Sequence, residues 1–362
     1  RTNWLRTANN KRIKRIMAYS PITKASDFFT PKLYTGNDTA DTAITGVGFQ
    51  PDFTWIKSRL DTENHHLFDS VRGATKYIIS NLTNAQATDA QSLSSFNSDG
   101  FTVGTFDGVN KVNGNFASWN WKANGQGSSN TDGSINTTYT SVNTTAGFSM
   151  STYTGNGTSG ATIGHGLGVA PAVVLVKRLN ATSDWVMYHK AMGASQFIVL
   201  NTNAAPASSA GIFYNTAPTS DIFYVGSDGA TNASGGTYVA YCFAEIQGYS
   251  AFGKYRGNAN ASDGTFVNCG FRPSMVIQKR LDGSENWFIF DEKRDGFNED
   301  NEYLFPNLTQ AESSGINRVN LLSNGFKLTT TDGGNNANGG PYLYMAFGQT
   351  LVGSNNVPAT AR

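Results

Sequence analysis

The sequence predicts an all-β protein, built as three tandem β-sandwich repeats of jelly-roll or lectin-like type, about 95 residues each, behind a basic N-terminal arm. Three observations carry that prediction. Of 362 residues only 15 % are charged, aromatics reach 12 % and there are 39 glycines. Aromatic and Thr side chains suit pleated strands, whereas Gly and Asn suit tight turns. Apolar residues alternate with period two, as in "PDFTWIKSR", where Phe53, Trp55 and Lys57 share one face and Thr54 and Ile56 the other. Finally, one phrase is written three times, as "GFQPDFTWIKSR", "GVAPAVVLVKR" and "GFRPSMVIQKR".

In chain order, residues 1–29 form the arm. Its start, "RTNWLRTANNKRIKR", carries Arg6, Lys11, Arg12, Lys14 and Arg15 without an acid, and Trp4 offers an apolar anchor, so these residues are the candidates for docking on a neighbouring subunit or another protein of the assembly. The repeats occupy 30–122, 147–247 and 248–349. Each opens on a Tyr-x-Gly-Asn turn (Tyr34, Tyr153, Tyr255) and continues to a lysine (Lys57, Lys177, Lys279), then to Asp69, His189 or Asp291 twelve residues on. An apolar strand follows and closes on Asn81, Asn201 or Asn307. Last comes an asparagine (Asn110, Asn232, Asn336) six residues before Phe116, Tyr238 or Tyr342, which open the strands "FASWNW", "YVAYCF" and "YLYMAF". GN, DG, NG and GG turns punctuate the runs at the spacing of short antiparallel strands. The stretches "NLTNAQATDAQS" and "NLTQAESSG" have room for one helical turn. Residues 123–146 are polar, lack apolar rhythm and read as a linker or surface strap. Residues 350–362 are a C-terminal tail.

A net charge of +1 gives no field to draw nucleic acid or acidic lipid, and no apolar run approaches the ~20 residues of a membrane helix. The basic start lacks the apolar stretch of a signal peptide. Cys242 and Cys269 make neither a disulfide framework nor a zinc set and are expected as free thiols in or near the cores; no cofactor or metal is expected.

Catalytic motifs are weighed and set aside. The Lys57–Asp69 and Lys279–Asp291 pairs are expected as salt bridges that fix hairpin register, with Lys177 turning elsewhere because His189 supplies no anion. His65 and His66 point to opposite faces of a strand and cannot share a metal as helix neighbours would; an exposed histidine is the expectation. His165 sits in a Gly-rich turn without nucleophile partners, and "GHGLGVAP" is no phosphate loop. Asp291, Glu292, Asp295, Glu299 and Asp300 read as a solvated loop rather than a glycosidase pair. Trp55, Trp185 and Trp287 read as core, and Tyr214 as a candidate ligand contact.

The stretch "YTGNGTSGATIGHGLGVAPAVVLVKRLNATSDWVMYHKAMGASQFIVLNT", with "YVAYCFAEIQGYSAFGKYRGN" and "LLSNGFKL", resembles repeated lectin-like domains in virion proteins of marine tailed bacteriophages, of tail-fibre type. The resemblance runs from about Met17 to the final "LVGSNNVPATAR". It implies a β-sandwich component of the virion surface and supplies no catalytic residue. The expectation is a structural, non-enzymatic fibre or knob that adheres to the host, with host-surface glycans as candidate ligands and other virion proteins or further copies of itself as partners. The alternatives are a capsid decoration protein and a polysaccharide-degrading enzyme. Neither nucleic-acid binding nor membrane insertion is expected.

Overall fold

The computed structural model describes residues 20–294, 298 and 302–350. Nearly all of the ordered elements are antiparallel strands, because the period-two runs place alternate side chains in two different cores. The first sheet has the order Phe29–Thr35, Asn115–Trp121, Phe53–Ser58, His66–Asp69, Lys76–Ile79, Ala87–Thr88. The second repeats that order as Phe148–Thr154, Thr237–Phe243, Val173–Arg178, Trp185–His189, Gln196–Val199, Ala207–Ser208. The third runs Ser250–Arg256, Pro341–Thr350, Phe271–Arg280, Phe288–Asp291. Residue for residue, Tyr34 faces Phe116, Tyr153 faces Tyr238 and Tyr255 faces Tyr342.

A smaller sheet covers one face of each main sheet: Thr42–Thr45, Gly100–Val103 and Leu93–Asn97 in the first unit, and Phe266–Asn268, Gly325–Leu328 and Val319–Leu322 in the third. In the second unit it is the pair Ala161–Gly164 and Ile222–Val225. The enclosed cores are separate: Ile56, Phe68, Phe101 and Phe116; Val174, Val186, Phe223 and Tyr238; Val276, Phe290, Phe326 and Tyr342.

The opposite faces of the three main sheets share one further core, with Trp55 and Trp119, Trp185 and Tyr241, and Trp287 and Met345 among its members. Trp121, Phe243 and Phe347 each stand five residues after the matched aromatics Phe116, Tyr238 and Tyr342. Their rings meet in a triangle, with centroids 6.3, 5.6 and 5.5 Å apart. Three equivalent residues in mutual contact place them about a common pseudo-threefold axis. Beside them lies an apolar cavity of about 20 Å³, lined from all three units by residues such as Trp55, Leu175 and Ile277. This arrangement explains why strand Phe53–Ser58 is buried on both faces.

Several expectations are corrected. The segment 123–146 supplies the strand Thr137–Asn143, which pairs along Phe148–Thr154 as the edge of the second sheet. Its rhythm is carried by Thr and Ser, with Thr137, Thr140 and Ser141 buried and bonded, and so was silent in hydropathy. Among the described residues the short helices are a 3-10 turn at Ala25–Asp27 and the turns Asp107–Asn110, Ala210–Phe213 and Gly333–Asn336, none of them in the stretches "NLTNAQATDAQS" and "NLTQAESSG". The pairing expected between lysine and acid is absent. Within each hairpin Phe53 faces Asp69, Val173 faces His189 and Met275 faces Asp291, so the acid lies opposite the start of the lysine strand. An antiparallel turn reverses direction, and a residue twelve positions on comes back to the far end.

Candidate functional site

The repeated charged positions build the seams between units. Lys57, Lys177 and Lys279 are fully buried rather than snorkelling, and carbonyl oxygens receive their ammonium groups. Lys177 donates to Ser183 and, across the first seam, to the Thr83 carbonyl at 3.0 Å. Lys279 donates to Arg280 and, across the second seam, to the Asn203 carbonyl at 3.2 Å. Lys57 stays within its own unit, on the carbonyls of Ser58 and Asp61. Burial pushes all three down to about 8.

The indoles bind the same seams. Trp185 donates to the Ile79 carbonyl at 2.8 Å and Trp287 to the Val199 carbonyl at 3.1 Å. The first unit has His65 at this position instead of an indole; its Nε2 has no hydrogen-bond partner among the described residues, and the third seam is bridged nearby by the Ser80 hydroxyl, which donates to the Pro306 carbonyl at 2.7 Å. Asn81, Asn201 and Asn307 fix these residues by accepting the backbone N–H of His65, Trp185 and Trp287 at 2.9, 2.8 and 3.0 Å.

The acids close the seams from the other end. Asp69 binds Arg72 at 2.6 Å and accepts the Tyr241 hydroxyl of the second unit at 2.6 Å. Asp291 binds Arg294 at 2.6 Å and accepts the Trp119 indole of the first unit at 3.0 Å. His189, Nε2 toward the Tyr344 carbonyl of the third unit at 3.2 Å, takes the same place. Arg59 spans the third seam to Glu302 and Glu312 at 3.0 and 2.7 Å.

His65 and His66 do face opposite ways, but both are buried. Trp55 donates to Nδ1 of His65, while His66 packs edge-on against Tyr77 and Phe106. Asp291 is likewise buried, not part of a solvated loop; Asp295, Glu299 and Asp300 lie outside the described residues. So do Trp4, Arg6, Lys11, Arg12, Lys14 and Arg15. His165 is buried, with Nε2 near the Thr219 carbonyl. Cys242 and Cys269 are free thiols, and burial raises Cys269 to about 12. Tyr214 is 44 % exposed, has a left-handed φ of 55° and lays its ring over Gly160. Among the described residues no group of His, Cys, Asp and Glu is placed to hold a metal, and no helix is long and apolar enough to cross a membrane.

The body is polar end to end. At one end lie the crossover 244–249, both ends of the longer connection 122–147, whose strand Thr137–Asn143 runs up along the sheet between them, and both flanks of the described chain: Ala25 donates to the Gln349 side chain at 2.9 Å, and Phe29 contacts Phe347. At the other end lie the Tyr-x-Gly-Asn turns and the hairpin loops after Lys57, Lys177 and Lys279. Asn110, Asn232 and Asn336 brace those turns alike, each accepting the N–H of Asn37, Asn156 or Asn258. Exposed Leu60 and Val112 stand at this end of the first unit, beside the Lys111–Asp61 ion pair.

The chain belongs to a domain family of unknown function, DUF7483, whose match spans residues 24–350. No curated protein and no solved structure matches it.

Proposed function

We propose that this member of the family is the body of a virion surface fibre or knob of a tailed bacteriophage, a structural protein that adheres to the host. The supporting observation is the difference between the two ends: both flanks and the points where the chain leaves one unit and enters the next gather at one end, and three matched sets of loops at the other. Such a body can be carried from below while presenting a rigid, loop-built face, and loops on a rigid scaffold are where recognition concentrates. The resemblance of the repeats to tail-fibre-type virion proteins supports the same reading. A capsid decoration protein is the second reading, favoured by the pseudo-threefold body, which suits a threefold seat on a shell. Gold-labelled antibody on intact particles separates them, since the fibre reading expects label at the tail and the decoration reading expects it over the head. Purified protein added before infection should also lower phage adsorption. Label over the head with unchanged adsorption would refute the adhesive role.

A further inference from the structure

We propose that the clefts along the unit seams bind an acidic polysaccharide. The inference rests on the adhesive reading and names its ligand class. Two open clefts occupy corresponding places in the body. The first, about 330 Å³, lies between units one and two and is lined by Arg72, Lys76, Gln86, Gln126, Tyr139 and Thr154 among others. The second, about 410 Å³, lies between units two and three, with Met192, Gln196, Lys254, Arg256 and Leu281 in its wall. The positions match. Arg72 and Lys76 follow Asp69 at the spacing at which Met192 and Gln196 follow His189, and Thr152 and Thr154 flank Tyr153 as Lys254 and Arg256 flank Tyr255.

The chemistry of the walls points to the ligand. Among the described residues no carboxylate lines either cleft. Lys76, Lys254 and Arg256 are exposed, and among the described residues none of them is joined to an acid; Arg256 donates to the Gly339 carbonyl. Between these cations stand amides and a hydroxyl (Gln86, Gln126, Gln196, Thr154), which exchange hydrogen bonds with sugar hydroxyls. A polymer that alternates acid groups with free hydroxyls meets both demands. Nucleic acid fits less well, because Tyr153, Tyr238 and Tyr255 are buried in the walls, and among the described lining residues the half-buried Tyr139 of the first cleft is the one aromatic ring left for an unstacked base. Seams in series let one long chain engage twice, which raises avidity without a new contact.

The test titrates the full chain with alginate (a polyuronate), neutral dextran and double-stranded DNA near 150 mM salt. Expected are saturable binding of alginate, none of dextran, and a loss of at least about tenfold in Lys254→Ala/Arg256→Ala and again on adding Lys76→Ala. Lys24→Ala, outside both clefts, should bind as the native protein does, and melting temperatures should show every variant folded. The cleft proposal is overturned if alginate fails to bind, if dextran binds equally, if DNA binds more tightly than alginate, or if the triple variant keeps native affinity. Adsorption is followed in parallel. A protein that blocks adsorption but ignores alginate keeps the adhesive role and loses the acidic clefts; one that does neither loses both.

Discussion

His189 stands where the other units carry Asp69 and Asp291, and the exchange is matched three residues on, where Met192 replaces Arg72 and Arg294. A buried carboxylate with its own guanidinium has become a neutral imidazole beside a thioether, because the partner across this seam is the Tyr344 carbonyl, an acceptor, whereas Tyr241 and Trp119 are donors. His189→Asp should therefore leave a buried anion facing an oxygen and cost about 3–5 kcal/mol. Adding Met192→Arg should restore part of that loss, read as a coupling energy in a double-mutant cycle of denaturant unfolding. Zero coupling would mean that the pair is not a unit. The lysines make a second prediction. Lys57, Lys177 and Lys279 lose their protons near 8 when folded and near 10.5 when unfolded, so between those values the unfolded chain binds more protons and stability rises with pH, by up to about 1.4 kcal/mol per pH unit for each lysine. The two buried thiols, Cys242 and Cys269, offset part of this rise from about pH 9, fewer in number than the three lysines, and above about pH 10 the buried tyrosines, Tyr153 and Tyr241 among them, reverse the trend, because burial raises both kinds of group. Melting temperature should thus climb from pH 8 toward pH 9.5, and a flat or falling profile there would contradict the neutral-lysine account.

At the scale of elements, each main sheet protects its outer edge by a different device. In the first unit the N–H groups at odd positions of Phe29–Thr35 point outward, since Lys122 bonds Phe28 and Gly36 bonds Gly114, and Pro31 removes one of them. In the second, strand Thr137–Asn143 covers the edge outright. In the third, Glu245 accepts the outward N–H of Phe252, and the exposed Lys254 resists pairing. Pro31→Val should leave the fold intact yet promote self-association through that edge, seen as a concentration-dependent mass in light scattering; a monodisperse variant at every concentration would remove the protective role. Strand period and turn spacing were legible because "PDFTWIKSR" and its counterparts alternate plainly. Strand Thr137–Asn143 was not, because Thr and Ser satisfy a pleated edge without an apolar signal. The seam partners were hidden for another reason. Trp185 and Trp287 read simply as core residues, and nothing local to them, or to Tyr241, tells that their polar atoms bond a different unit.

At the scale of the molecule, the shared core decides how the protein folds. Among the described residues the inner faces of the main sheets, with Trp55, Trp119, Leu175, Trp185, Ile277 and Trp287, are covered chiefly by one another, with loop residues such as Ile22, Tyr249 and Leu304 filling in. Separating one unit would bare a broad aromatic face, and at roughly 25 cal/mol per Å² of apolar surface returned to water such a loss outweighs what an outer core alone can hold. It would also strand Asp69 without the Tyr241 hydroxyl, Asp291 without the Trp119 indole, and Lys177 and Lys279 each without one carbonyl. A string of repeats that touch only their neighbours can melt piecewise, but a closed ring has no free end at which to begin. The chain should therefore unfold as one cooperative body, with calorimetric and van't Hoff enthalpies in agreement and a heat-capacity change scaled to the whole described region. A fragment ending at Lys122 should bind hydrophobic dye and lack near-ultraviolet ellipticity. Separate transitions in the full chain, or a native-like fragment, would show that the units fold first and the common core forms only afterwards.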